Sequence, residues 1–179
     1  PRAHPEVRSL ARWYLAGVEE SLGNRDGARA ERERLGFLRG WWIVGPFDNE
    51  GRGGFDRAFP PETSGDLAAR FPGKVREVGF RALPPELEWS GIVSIGTAVR
   101  PQQDGVVYAL SVPVVAREQR ARLWIGASGA VRVWVNGAKV LEDAAYHPAR
   151  LDQAAVEVTL RKGPNRILVK LAQDGGEMA

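Results

Sequence analysis

The sequence contains no cysteine, one methionine and two histidines. The missing cysteine removes disulfides, thiolate nucleophiles and cysteine-type zinc sites together. The two histidines, His4 and His147, do not lie at helical spacing, so no zinc ligand set forms without carboxylates. No run of about 18 apolar residues occurs, so no membrane span is expected. No Asn-x-Ser/Thr site occurs either, and N-glycosylation is not expected. The sequence opens on Pro1 without a methionine or a charged and apolar leader, so it is expected to be a piece of a longer protein. The compartment stays open, with periplasm or cell surface favoured over cytoplasm.

What is present is the composition of a soluble globular protein: 179 residues, 44% apolar and 26% charged. That length suits one domain, or a small helical piece and one β domain. The net charge is +3, and lysine supplies only four of the 25 basic residues. Arginine, alanine and glycine in excess over lysine and isoleucine read first as the coding preference of a GC-rich genome. Arg29, Glu31, Arg32, Glu33 and Arg34 alternate in sign, which predicts a solvated helix face and not a phosphate track. No basic stripe is interleaved with aromatics, so no nucleic-acid partner is expected.

Val7, Leu10, Ala11, Tyr14, Leu15, Val18 and Leu22 recur at three- and four-residue spacing and predict a helix over 5–22, stopped by Gly23-Asn24. Asn24 or Asp26 can cap a second helix through Leu35, closed by Gly36. The pair resembles one tetratricopeptide repeat: Leu15, Ala16, Gly23 and Ala28 fall at that repeat's spacing and Leu35-Gly36 closes it. The match is partial, because the aromatic of the first helix is displaced and Arg32 stands where the second helix usually carries an aromatic. A single repeat does not bury its own apolar face. Either further repeats precede it in the parent protein, or the hairpin packs on the β domain.

From Trp41 the period changes to two. Strands are predicted over Trp41–Gly45, Glu77–Leu83, Gly91–Ile95, Val106–Val115, Ala121–Gly126, Ala130–Asn136, Lys139–Glu142, Ala154–Leu160 and Asn165–Ala172. Asn136-Gly137 between two alternating runs is a strong hairpin signal. Many short strands divided by Gly/Pro turns predict a β-sandwich. The stretch 45–73 is rich in Gly and Pro and lacks a period, as expected of a functional loop or one packed across an open end of the sandwich.

Two segments carry a resemblance. Trp41–Glu50, running through Phe55-Asp56 to Pro60-Pro-Glu62, resembles the opening strand of β modules that follow tetratricopeptide repeats in large bacterial proteins. Ala121–Gly137, with Asp152, Val156–Leu160, the turn Leu160-Arg-Lys-Gly-Pro-Asn165 and Ile167–Leu171, resembles the core of a galactose-binding-domain-like jelly-roll. Together they cover roughly 37–172. The resemblance implies a mainly β fold, with a helical hairpin over 1–36 and a β-sandwich module over 37–179. A further strand often follows in that family, so the module is expected to lack its last strand and to leave an open edge. The family includes sugar binders, Ca²⁺ binders and structural spacers.

Several residues on that frame are candidates for a site. Trp41 and Trp42 face opposite sides of one strand, and at least one must be core. Trp124 and Trp134 alternate with Leu123, Ile125, Val131, Val133 and Val135, so both are expected on an outer face with Arg122 and Arg132. There they either stack a sugar ring or are covered by the hairpin or the long loop. Tyr146, His147, Arg150 and Asp152 in an end loop are candidates for a small polar pocket; the alternative is that Asp152 caps its own turn and Tyr146 packs. Asp48, Asn49, Glu50 and Asp56 are oxygen donors that could serve Ca²⁺; the alternative is turn chemistry and arginine partners.

Catalytic motifs are weak. Gly126-Ala-Ser128-Gly-Ala130 brushes against a nucleophile elbow, which needs a helix after it where a strand is predicted. Gly51-Arg-Gly-Gly54 lacks the Gly-Lys-Ser/Thr ending of a phosphate loop. The expectation is a non-catalytic accessory module of a larger bacterial protein, with other domains of the parent chain as partners. The alternative is a carbohydrate-binding module with a glycan partner.

Overall fold

The computed structural model describes residues 5–88, 91–93 and 95–175. It is mostly β, with a large antiparallel sheet and a short N-terminal helical pair. Helix α1 (Pro5–Ser21) turns at Gly23 into α2 (Arg25–Leu35). Of the two candidate caps Asn24 is the one used: its side chain accepts from the Gly27 amide. Gly36, left-handed at φ 67°, closes α2 as expected. The helices meet at Ala16 and Ala28, both buried, whose small side chains let the backbones approach. The alternating charges of α2 are not all solvated. Glu31 and Arg32 are buried against α1, where Glu31 accepts from Arg12 at 2.7 Å and Arg32 donates to Glu20 at 2.5 Å. The charge pattern hides this because ion pairing to a neighbouring helix satisfies a buried charge as water would.

The linker is docked. Phe37 lies over Gly91, and the Glu88 carboxylate accepts from the amides of Gly40 and Trp41 at 2.9 and 2.8 Å. Strand β1 (Trp42–Asp48) follows, then β2 (Arg70–Pro72), β3 (Glu77–Gly79), β4 (Arg81–Ala82) and the short helix α3 (Ile95–Ala98). The chain continues through β5 (Gly105–Ser111), β6 (Val114–Val115), β7 (Gln119–Ile125), β8 (Ala130–Val135) and β9 (Ala138–Asp143). It ends with β10 (Ala154–Leu160), β11 (Gly163–Pro164) and β12 (Ile167–Gln173). The expected strand over Gly91–Ile95 is absent from its described part: residues 91–93 are irregular and Ile95 opens α3. The run Val106–Val115 is two strands, because Pro113 has no amide to donate to a ladder. The tail 176–179 lies outside the described residues.

The large sheet runs β4-β1-β5-β12-β8-β9, and β7 pairs with β10 in a small second sheet. All pairs are antiparallel. Asn136 and Gly137 both have positive φ, 51° and 85°, as the tight turn joining β8 to β9 requires. Val133, Val135, Ile167 and Leu171 of the large sheet pack on Val158 and Leu160 of the small one, with Leu83, Ile95 and Val99 closing the side. This core between sheets is what makes the fold sandwich-like. The alternating partners on the large sheet, Val44, Val106, Tyr108 and Leu168, point the other way and build a second core with Phe55, Phe59 and Phe71. Trp41, just before β1, packs on the first core and Trp42, its first residue, on the second, so the pair takes opposite sides.

Candidate functional site

The long loop after β1 roofs the outer face of the large sheet. Three cations on that face hold the roof by its carbonyl groups. Arg132 on β8 donates to the Phe55 carbonyl at 3.1 Å, pairs with Glu142 at 2.8 Å and lies 4.4 Å over the Phe55 ring. Lys170 on β12, 0% exposed, donates to the Arg57 carbonyl at 2.7 Å and to Glu62 at 3.0 Å. Arg166 donates to the carbonyls of Pro61 at 2.7 Å and Ser64 at 3.3 Å. Tyr108 on β5 donates to Glu62 at 2.5 Å. Burial pushes the Tyr108 hydroxyl well above the usual tyrosine range, and the Glu62 carboxylate it serves pushes it the same way. Burial lowers the Lys170 pKa, opposed by Glu62, and burial alone lowers that of Arg166.

Trp134 is half-buried against this second core. Trp124 is half-buried on β7, opposite Ala155, with the Arg122 guanidinium 5.9 Å from its ring centre and Arg122 also pairing with Glu157 at 2.6 Å. Leu123 and Ile125 point into the core between the sheets, and so do Val133 and Val135. Trp124 therefore lies outside the small sheet and Trp134 outside the large one. The two rings face opposite ways and share no platform, which corrects the expectation of one outer Trp face. Residue alternation fixes the side of a strand, but not which sheet the strand joins.

The end loop divides in a similar way. Tyr146 turns inward onto the second core, its hydroxyl accepts from Asn49 Nδ2 at 3.1 Å, and Arg52 lies 4.4 Å over its ring. His147 Nε2 is 3.0 Å from Asp143 Oδ2, and Nδ1 is 2.7 Å from the Gln153 side-chain amide nitrogen. The His147 carbonyl accepts from the Gly129 amide, tying this loop to the turn before β8. Both ring nitrogens are thus engaged by residues other than Ser128 or Asp152. The Arg150 side chain is exposed, while its carbonyl presses on Gly126, where a Cβ would sit 1.8 Å away. Asp152 holds a positive φ of 54°. Tyr146 and His147 serve different neighbours, so the four candidates do not converge on one pocket.

The four oxygen donors do not converge either. Asn49 is fully buried and donates to Tyr146 and to the Gln173 carbonyl. Asp48 accepts from the Glu50 amide at 3.3 Å and lies 3.6 Å from Lys74 Nζ. The Asp56 side chain is 88% exposed and meets Arg132. Among the described residues, no three His, Asp or Glu side chains are grouped to hold a metal ion. Asp48 and Asp56 thus show the turn chemistry and basic partners given above as the alternative to Ca²⁺.

Sequence reasoning missed Lys170, Arg166, Glu62, Arg52, Asp143 and Gln153. One signal was legible: Lys170 interrupts the apolar run Ile167–Leu171. A lone lysine there needs a buried partner on one face, or water.

The Asp143 carboxylate raises the His147 pKa above 6.5, and His147 in turn holds Asp143 below the usual carboxylate range. His147 contributes stability fully present below its unfolded pKa of about 6.5 and lost as pH rises through its raised folded value. Asp143 contributes stability present above about 3.9 and lost as pH falls through its lowered folded value. The loop is expected to be held best between those limits. NMR titration of the His147 ring should give a pKa above 6.5 that falls toward it in Asp143→Asn. An unchanged value in that variant would show that the pair does not form.

Comparison with protein-family models found no match, and a search of curated proteins found none either.

Proposed function

We propose that this chain is a non-catalytic accessory module with a galactose-binding-like jelly-roll sandwich, serving structural and protein-interaction roles in a larger bacterial protein. One observation supports this most: the outer face of its large sheet, where an open binding cleft could lie, is filled by a roof clamped with Arg132, Lys170 and Arg166. His147, the histidine among the described residues, is engaged by Asp143 and Gln153. The helical pair, by contrast, presents a broad apolar surface to solvent, as interaction modules do.

Carbohydrate recognition is the second reading, and Trp124 favours it. The ring is half-buried on the outside of the small sheet with Arg122 beside it, a pairing suited to stacking a sugar and bonding its hydroxyls. A glycan array of the folded chain beside Trp124→Ala separates the readings. No binding by either protein is the expected result. Binding lost in Trp124→Ala would replace the structural reading with sugar recognition. Turnover of any substrate by the purified chain, abolished by His147→Ala, would overturn the non-catalytic assignment.

A further inference from the structure

Helix α1 is apolar on two opposite faces. One face, with Ala16, packs on α2. The other carries Val7, Leu10, Tyr14, Leu15 and Val18, with Leu22 just past the end of the helix, all exposed, Tyr14 at 60% and Leu22 at 77%. Arg8, Arg12, Glu19 and Glu20 lie between these two faces, so the second face is an apolar stripe of the kind one helix buries against another. Beside it is a hollow of about 320 Å³ lined by Arg8, Ala11, Arg12 and Leu15 of α1 and by Glu31 of α2. Four residues spaced i, i+3, i+4 and i+7 form the diamond into which a facing helix inserts a side chain.

We infer that the partner is a second copy of this chain, docked with the two α1 helices antiparallel about a twofold axis between Tyr14 and Leu15. This deepens the interaction reading above by naming a partner, and rests on it. Antiparallel pairing about that axis matches Val7 with Leu22, Ala11 with Val18 and Tyr14 with Leu15, three apolar layers, and leaves Leu10 level with Glu19 of the partner copy. It brings Val18 of one copy to the hollow of the other. Charge agrees: on the flank of the stripe Arg8 and Arg12 occupy the N-terminal half and Glu19 the C-terminal half. Reversing one helix sets Arg8 near Glu19 of its partner, at both ends of a self-complementary interface.

One helix pair is a small interface, so association is expected to be micromolar or weaker. Sedimentation equilibrium of the full chain should show the mass rising with concentration from 19.6 kDa toward twice that value. Tyr14→Glu with Val18→Glu should hold it at the monomer mass, with its helical signal retained. Arg8→Glu and Glu19→Lys should each weaken association severalfold, and the two together should restore it. The natural chain has no cysteine, so single-thiol variants report the geometry cleanly. Leu15→Cys should cross-link to its own copy under mild oxidation. Leu22→Cys should not, because antiparallel pairing sets its two copies about 22 Å apart along the axis. A chain that stays monomeric, an association the glutamates leave intact, or efficient cross-linking at Leu22→Cys would each overturn the inference. A monomeric chain that also binds no glycan and turns over no substrate would leave the module reading standing while removing this partner.

Discussion

Replacing Lys170 with alanine is expected to cost about 3–5 kcal/mol of unfolding free energy, the usual consequence of breaking a buried ion pair. Lys170 is 0% exposed and the Glu62 side chain 13% exposed. Without the ammonium, Glu62 keeps only the Tyr108 hydroxyl against its charge, and the Arg57 carbonyl loses its donor. The rings of Phe55, Phe59 and Tyr108, each within 6 Å of Lys170 Nζ, lose their cation as well. Lys170→Met combined with Glu62→Gln should lose much less, because neither member is then left charged without its partner. Denaturant unfolding reads both variants, with the slope watched for a change in the unfolded or native state. A loss below about 1 kcal/mol for Lys170→Ala would mean that the roof is held by its aromatic rings, Arg132 and Arg166 without need of Lys170.

Phe47→Ala is expected to cost a similar about 3–5 kcal/mol. Phe47 is fully buried on β1, with its ring 4.8 Å from that of Phe59 and 5.7 Å from that of Tyr108. Sheet lies beneath it and roof above, so its removal leaves a cavity between two fixed layers. A value at the high end would show that the roof does not settle into the space, and one at the low end that it does. Phe47→Leu keeps most of the volume and should cost far less. Hydrogen exchange across 49–66 tells whether the roof loosens before the sheet does. Uniform protection in Phe47→Ala would show that roof and sheet open as one unit.

The helices, their caps and the Asn136-Gly137 hairpin were legible because each is decided by residues a few positions apart. Ala154–Leu160 was legible as a strand to its ends, since alternation and flanking polar residues mark both. The roof was not. Tyr108, Arg132, Trp134 and Lys170 alternate with core residues in the way that solvent-facing positions do. Only the distant segment carrying Phe55, Phe59 and Glu62 converts that face into an interior. Partner choice among strands escaped for the same reason: Trp124 and Trp134 are ten positions apart in sequence and sit on different sheets. Gly91–Ile95 read as a strand because its apolar residues alternate, yet Val93 and Ile95 meet the core without a ladder.

The position of β12 has a consequence for synthesis. The last strand among the described residues, it is paired on both sides, with β5 and with β8, and so sits at the middle of the large sheet. On a ribosome α1 and α2 can form early, since their contacts are local. The two halves of the sheet, β4-β1-β5 and β8-β9, must wait as separate ribbons until residue 173 has emerged. For that interval the valines on both faces of β5 are uncovered, and the nascent chain is at its most prone to stick to others. Folding of the sheet is therefore a late event that joins its oldest and newest residues in one step.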